Sequence, residues 1–148
     1  MTPRTGAVVV LLAVASSCRR EPPVARSGDL SVDRAWATAA PDGAGGTLYF
    51  TLHNDGSEAD TLLSVTVDSV SATAHAMETT GGMMHMVPLE RPVIPARSAL
   101  TLTPGHLHVM FEEPRRRIAL GDTVRVALRL ARHGTLTFPL VIGPYRVE

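Results

Sequence analysis

Hydrophobic and polar residues alternate with a period of two along several segments of the chain. The clearest are GTLYFTLH at 46–53, VRVALRL at 124–130 and TLTFPLVI at 135–142. Side chains alternate across a β-strand, so each segment has one apolar face and one polar face. Gly, Pro, Asn and Asp separate these segments, and no segment has a convincing helical period. Pro139 cannot donate a ladder hydrogen bond and is expected on an edge strand or at a bulge.

This pattern predicts an all-β protein with a single domain over residues 30–148. We expect about eight short strands in a two-sheet sandwich or a Greek-key barrel. The 148 residues are enough for one core, which the low aromatic content makes largely aliphatic.

The first residues have the pattern of an export signal. MTPRTGAVVVLLAVASSC contains one basic residue and an apolar run of roughly ten, too short to span a bilayer. We therefore predict a signal peptide of the lipoprotein type over residues 1–17 and a protein that is exported. A-S-S-C resembles the lipobox of bacterial lipoproteins, whose cysteine is lipidated. In the alternative interpretation, cleavage follows Ala15 or Ser16 and Cys18 is incidental.

The segment between that cysteine and the domain, residues 18–29, is charged, contains proline and has no periodicity. It is predicted to be a tether, so the membrane would be contacted by a lipid anchor only. The expected location is the periplasm or the outer face of a membrane.

Composition excludes several classes of function. Fourteen basic residues balance fourteen acidic ones, which does not indicate a nucleic-acid partner. Every basic residue is arginine, so lysine nucleophiles and Schiff bases are excluded. Cys18 is the only cysteine, which excludes an internal disulfide and also the thiolate that a blue-copper site requires. No G-x-S-x-G or H-E-x-x-H motif supports hydrolysis.

Methionine and histidine are concentrated in two stretches, AHAMETTGGMMHM at 74–86 and PGHLHVM at 104–110. Strand parity places most of these side chains on the face opposite the aliphatic residues. A core methionine would instead lie among the leucines. Thioethers bind Cu(I) well and hard cations poorly, while imidazole is a versatile ligand. The mixture of His and Met therefore indicates a Cu(I) site.

The spacing of these residues resembles the periplasmic copper chaperone family PCuAC, whose pattern is His-x10-Met-x21-His-x-Met. His75, Met86, His108 and Met110 match it residue by residue. The segments R-A-W-A, TLYFTLHNDG, I-P-A, L-T-P-G and L-G-D-T-V also match. The resemblance implies a cupredoxin-like β-sandwich that binds one Cu(I) through those four side chains. It further implies delivery to the dicopper centre of a cytochrome c oxidase subunit, together with a thioredoxin-like copper chaperone.

Other residues near the motif are candidates for auxiliary roles, and other functions stay open. Met77, Met83 and Met84 are candidate sulfur donors, a hydrophobic rim or a docking surface, and His85 and His106 are candidate Cu(II) ligands. His106 stands where the family has glycine. The alternatives to a non-enzymatic carrier are a copper-dependent redox enzyme, a Cu(II)-sequestering protein and a plain scaffold β-sandwich.

Overall fold

A computed structural model describes residues 22–146, which form a single β-sheet system of eleven strands. The all-β prediction is therefore confirmed. The strands are β1 Ala25–Ser27, β2 Leu30–Ala39, β3 Gly45–Asn54, β4 Asp60–Val67, β5 Val70–Thr80, β6 Met83–Pro88, β7 Val93–Ile94, β8 Ser98–Thr101, β9 Leu107–Glu112, β10 Thr123–Leu130 and β11 Gly134–Val141.

The strands follow the order β1-β2-β3-β9-β5-β4-β10-β11, and every strand pairing is antiparallel. Strands β6, β7 and β8 pair with β5, β4 and β3. A single parallel bridge between Ala37 and Ile142 brings the two ends of the sheet together, so the sheet nearly closes into a barrel. Pro139 lies on β11, at the end of this strand order, where its missing amide hydrogen is tolerated.

The core is built from the apolar faces that the alternation predicts. Leu48, Phe50 and Leu52 of β3 are buried, and so are the alternate residues of β10 and β11. Three phenylalanines, at 50, 111 and 138, are the largest fully buried side chains, and the rest of the core is mostly aliphatic. Burial of these side chains from water is the main term that holds the sheet closed.

A β-bulge in β2 reverses the faces of that strand. The register with β3 shifts between Asp33 and Trp36, and Arg34 has a φ of 50°. One extra residue moves every later side chain to the opposite face. As a result Ala37 enters the core, whereas Trp36 lies opposite Tyr49 on the outer face.

Three glycines set the geometry of the strands around that outer face. A Cβ at Gly46 would lie 2.3 Å from the Thr38 carbonyl oxygen and 2.6 Å from the Phe111 ring, so only glycine permits this close approach of β3 and β9. Gly81 and Gly82 both have positive φ, as a two-residue hairpin turn requires, and they join β5 to β6.

The structure differs from the sequence-based expectations in two ways. There are eleven strands rather than about eight, because β1, β7 and β8 have only two to four residues and no clear alternation. The segment expected to be a tether contains β1, which pairs with β2 through Ser27 and Leu30. The predicted signal peptide and Cys18 lie outside the described residues. The described part of the chain contains no helix with the length and apolarity needed to cross a membrane.

Candidate metal centre

The four predicted ligands lie on three adjacent strands, in the order β6-β5-β9. His75 of β5 is directly opposite His108 of β9, and Met110 is opposite Thr73, one diagonal step from His75. On the other side of β5, Met86 is opposite Met77, again one diagonal step from His75. Directly opposed and diagonal residues of neighbouring strands lie within reach of long side chains. The sheet therefore brings together four residues that are up to 35 positions apart in the sequence.

Three of the four side chains, those of His75, Met86 and Met110, line a small hollow on the outer face of the sheet, and His108 lies beside it. Nε2 of His108 lies 3.2 Å from Sδ of Met86. The rings of His75 and His108 are stacked, with centroids 5.7 Å apart and an interplanar angle of 25°. The hollow has a volume of about 200 Å³ and is lined by Ser71, Thr73, His75, Met86, Met110 and Glu112.

One polar atom of this site has no partner. Within residues 22–146, Nδ1 of His75 is the one buried side-chain nitrogen or oxygen without a hydrogen bond. A buried polar atom left unsatisfied costs about 1–3 kcal/mol. An ion bound in the hollow would remove that cost, so the orphan nitrogen fits a ligand position.

His108 is held in its neutral form. Its side chain is only 8% exposed, and the ring of Tyr49 lies beside it with a centroid distance of 6.5 Å. Tyr49 is in turn stacked on Trp36 at 4.2 Å, so an aromatic row covers this side of the site. Burial, and secondly the neighbouring His75, lower the pKa of His108, although a hydrogen bond with the backbone of His106 opposes the shift. A neutral imidazole keeps a lone pair free for a metal ion.

The four side chains form a set of donors that suits a soft monovalent ion. Two thioethers and two imidazoles contribute no negative charge, and thioethers select Cu(I) over Zn(II), Ca(II) or Mg(II). Within the described residues, no group of three or more His, Cys, Asp or Glu is placed to hold a metal ion. The four side chains thus fit Cu(I) better than a harder cation.

Three residues of the site were not predicted from the sequence. Glu112 brings a carboxylate to the hollow, and the parity of His108 and Met110 extended by two residues would have located it. Tyr49 lies beside the site because of the way in which β3 pairs with its neighbours, and the sequence alone does not specify that pairing. Trp36 could not have been found by parity, because the bulge in β2 changes its face.

The auxiliary candidates are divided between the two faces of the β5–β6 hairpin. Met77 is opposite Met86 and Met84 is opposite Thr79, which places both methionines on the same face as the hollow. His85 is opposite Glu78 on the other face and is exposed. His106 precedes β9, and its side chain is exposed. Its backbone carbonyl accepts a hydrogen bond from the amide of Met77.

Comparison with known proteins identifies the family and the fold of this chain. The family model described as "Putative lipoprotein LpqE-like" matches residues 30–142. The solved structure of the copper-bound PCuAC domain from PmoF2 is similar, with 20% identity, a TM-score of 0.67, and coverage of 81% of this chain and 97% of that one. The apo PCuAC domain from PmoF1 is 24% identical, with a TM-score of 0.64 and coverage of 80% of this chain and 98% of that one.

A third similar structure is that of CuI-DR1885 from Deinococcus radiodurans. It is 27% identical, with a TM-score of 0.53 and coverage of 76% of this chain and 78% of that one. A search of curated proteins finds no match to this chain. The expected resemblance to PCuAC and the cupredoxin-like fold are confirmed. Because the family model spans most of the sequence, the chain belongs to the LpqE-like family, and its fold is that of a PCuAC domain.

Proposed function

We propose that this protein is an extracytoplasmic copper chaperone that binds one Cu(I) through His75, Met86, His108 and Met110. The observation that carries the proposal is that three strands bring these four side chains together: His75, Met86 and Met110 line one hollow, and His108 contacts Met86 and stacks on His75, whose Nδ1 is buried and unpartnered. Two similar structures are described as a copper-bound PCuAC domain from PmoF2 and as CuI-DR1885, which supports copper as the ion.

The same geometry favours transfer over catalysis. Met86 is 47% exposed, so one ligand can exchange with a donor or acceptor without unfolding of the sheet. None of the four proposed ligands carries a negative charge to compensate the single positive charge of Cu(I), which suits a site that releases the ion as well as holds it. Two thioethers stabilise Cu(I) and disfavour cycling to Cu(II), as a redox enzyme would need.

The acceptor and the location rest on the resemblance and on the family. We propose that copper is passed to the dicopper site of a cytochrome c oxidase subunit, with a thioredoxin-like copper chaperone as a second partner. The lipoprotein description of the family supports an exported protein anchored through a lipid on Cys18. Mass spectrometry of the membrane-extracted protein tests the anchor. A diacylated mature N-terminus at Cys18 is expected, and an unmodified thiol would contradict it.

An anaerobic Cu(I) competition titration against a chromophoric chelator tests the metal site. The wild-type protein is expected to bind one tight equivalent, which is lost in the double variant His108→Ala/Met110→Ala. The matched control is Met83→Ala/His85→Ala, which also removes one methionine and one histidine, both exposed and outside the proposed ligand set. Equal loss in both variants, or none in either, would contradict the proposed site.

Delivery is tested with a soluble oxidase fragment that contains the empty dicopper site. Two equivalents of the copper-loaded wild-type protein are expected to fill that site with two Cu(I) ions, and one-electron oxidation by added ferricyanide then gives the purple absorption of the mixed-valent dicopper centre. The alternative of Cu(II) sequestration predicts instead that the protein retains the ion and that His85→Ala/His106→Ala lowers Cu(II) affinity.

A further inference from the structure

We propose that Met77, Met84 and Met86 form a second, weaker Cu(I) site on the β5–β6 hairpin, through which copper enters and leaves the primary site. The three residues are called the entry site below. The inference rests on the proposed function, because it assigns a route to the ion that the primary site holds. Met86 belongs to both sites and connects them.

The strand register places the three residues next to one another on one face of the hairpin. Met77 is directly opposite Met86, and Met84 is opposite Thr79, two residues along β5 from Met77. Opposed side chains of neighbouring strands are about 5 Å apart at Cβ and diagonal ones about 7 Å, which the flexible methionine side chain can span. All three side chains share the face that contains the hollow.

The hairpin extends the sheet away from the primary site. Pairing between β5 and β9 ends at Ala76 and Leu107, whereas pairing between β5 and β6 continues to Thr80 and Met83. The two-glycine turn then ends the hairpin. An ion arriving at this end of the sheet therefore meets methionines before it reaches the histidines.

Exposure falls along this row in the order that a route inward requires. Met84 is 60% exposed and Met86 is 47% exposed, whereas His108, in contact with Met86, is 8% exposed. Met77 is half-buried between the outer methionine and the hollow. A methionine that served packing would be buried among aliphatic residues, but Met84 and Met86 face solvent.

Three thioethers suit a transient Cu(I) site. They are soft, neutral ligands, and protons do not compete with copper for them at physiological pH. The entry site is weaker than the primary site because it contains no imidazole. Movement inward is a ligand exchange in which the bonds from copper to the sulfur atoms of Met84 and Met77 break. The ion keeps Met86 and gains His108 and the remaining primary ligands, and no electron is transferred.

Met83 provides a matched control for this arrangement. It is 64% exposed, close to the value for Met84, and the two residues are adjacent in β6. Parity places Met83 on the opposite face of the hairpin, away from the hollow. Replacement of either Met83 or Met84 by leucine removes one exposed thioether from β6. A difference between the two single variants therefore shows that the face on which the thioether lies matters.

Stopped-flow transfer of Cu(I) from bicinchoninate tests the route. The double variant Met77→Leu/Met84→Leu is expected to load about tenfold more slowly, because it loses the local concentration that an entry site supplies to Met86. Its equilibrium affinity for the first equivalent is expected to stay at the wild-type value, and Met83→Leu is expected to change neither quantity. If the double variant loads copper at the wild-type rate, the proposal is overturned. A loss of first-equivalent affinity would also overturn it, since both residues would then belong to the primary site.

A second experiment separates this inference from the proposed function. In the variant that lacks His108 and Met110, Cu(I) is expected to shift the ε-methyl NMR signals of the entry site while the Met83 signal stays in place. The entry site is overturned if the Met77 and Met84 signals do not move. The proposed function fails separately, if the wild-type protein shows no tight first equivalent.

Discussion

Replacement of His75 by phenylalanine is expected to stabilise the copper-free protein and at the same time to remove copper binding. Phenylalanine keeps a flat ring beside His108, where the histidine ring now lies at 5.7 Å. It also favours strands. What it removes is Nδ1, the buried nitrogen of His75 that has no hydrogen-bond partner. A residue kept for metal binding at the expense of stability should behave in this way.

The size of the gain follows from the burial of that atom. An unsatisfied buried polar atom costs about 1–3 kcal/mol. The His75 ring as a whole is only half-buried, so the lower end of that range, about 1 kcal/mol, is expected. For a domain of this size the corresponding rise in Tm is about 4 °C. In contrast, Cu(I) at 1,000 times its Kd should stabilise the wild-type protein by about 4 kcal/mol and the variant by much less.

Urea denaturation of the copper-free and Cu(I)-buffered proteins, under anaerobic conditions, measures both effects. The control is His106→Phe, which replaces an exposed histidine outside the hollow and is expected to leave both free energies of unfolding unchanged. A copper-free His75→Phe protein that is less stable than wild type would refute the cost assigned to Nδ1. Undiminished stabilisation by Cu(I) would refute the assignment of His75 as a ligand.

Three further substitutions have expected outcomes. Met110→Leu removes one sulfur at nearly constant volume. Loss of a residue that only supports a metal ligand typically lowers metal affinity about 10- to 100-fold, so loss of a ligand should lower the Cu(I) affinity in a competition titration by at least that much. The free energy of unfolding should change by less than about 1.5 kcal/mol. Unchanged affinity would exclude Met110 as a ligand. Glu112→Gln removes the carboxylate at the hollow and should weaken Cu(I) binding roughly two- to fivefold at low salt; an effect that persists in 1 M salt would not be electrostatic. Burial raises the pKa of Asp60, but hydrogen bonds from the His133 ring and from backbone amides outweigh it, so the folded-state pKa is lowered. Its stabilisation is therefore present above the unfolded pKa of about 3.9 and is lost as the pH falls through the folded value. Asp60→Asn should destabilise the protein by about 1–3 kcal/mol at pH 7 in urea titrations, and a difference that does not shrink in acid would contradict this.

The sequence was informative wherever a strand is regular. Alternation in β10 identified Val124, Val126 and Leu128 as core residues, and all three are buried. Parity indicated the outer face for most of the His and Met residues, and the resemblance to the PCuAC pattern selected the four residues that the sheet brings together. The core prediction is confirmed because period-two burial is a local property of the chain, whereas the assignment of the four residues as ligands stays a prediction.

The sequence was uninformative wherever tertiary pairing decides the outcome. The bulge after Asp33 moves Trp36 from the core side to the outer face, and no residue pattern in that segment shows it. The pairing of β5 with β9 sets His75 against His108, and this register depends on long-range contacts. The same pairing places the hollow beside the hairpin methionines of the proposed entry site. Short strands such as β7 have too few residues for any period to be recognised.

Copper K-edge X-ray absorption of the protein loaded with one equivalent of Cu(I) most directly tests the two-His, two-Met centre. The expected spectrum has the edge of Cu(I) and a first shell of two sulfur and two nitrogen scatterers. In the His108→Ala/Met110→Ala variant that first shell should be absent. A wild-type shell of nitrogen and oxygen only, or a spectrum that the double substitution leaves unchanged, would contradict the assignment of these ligands.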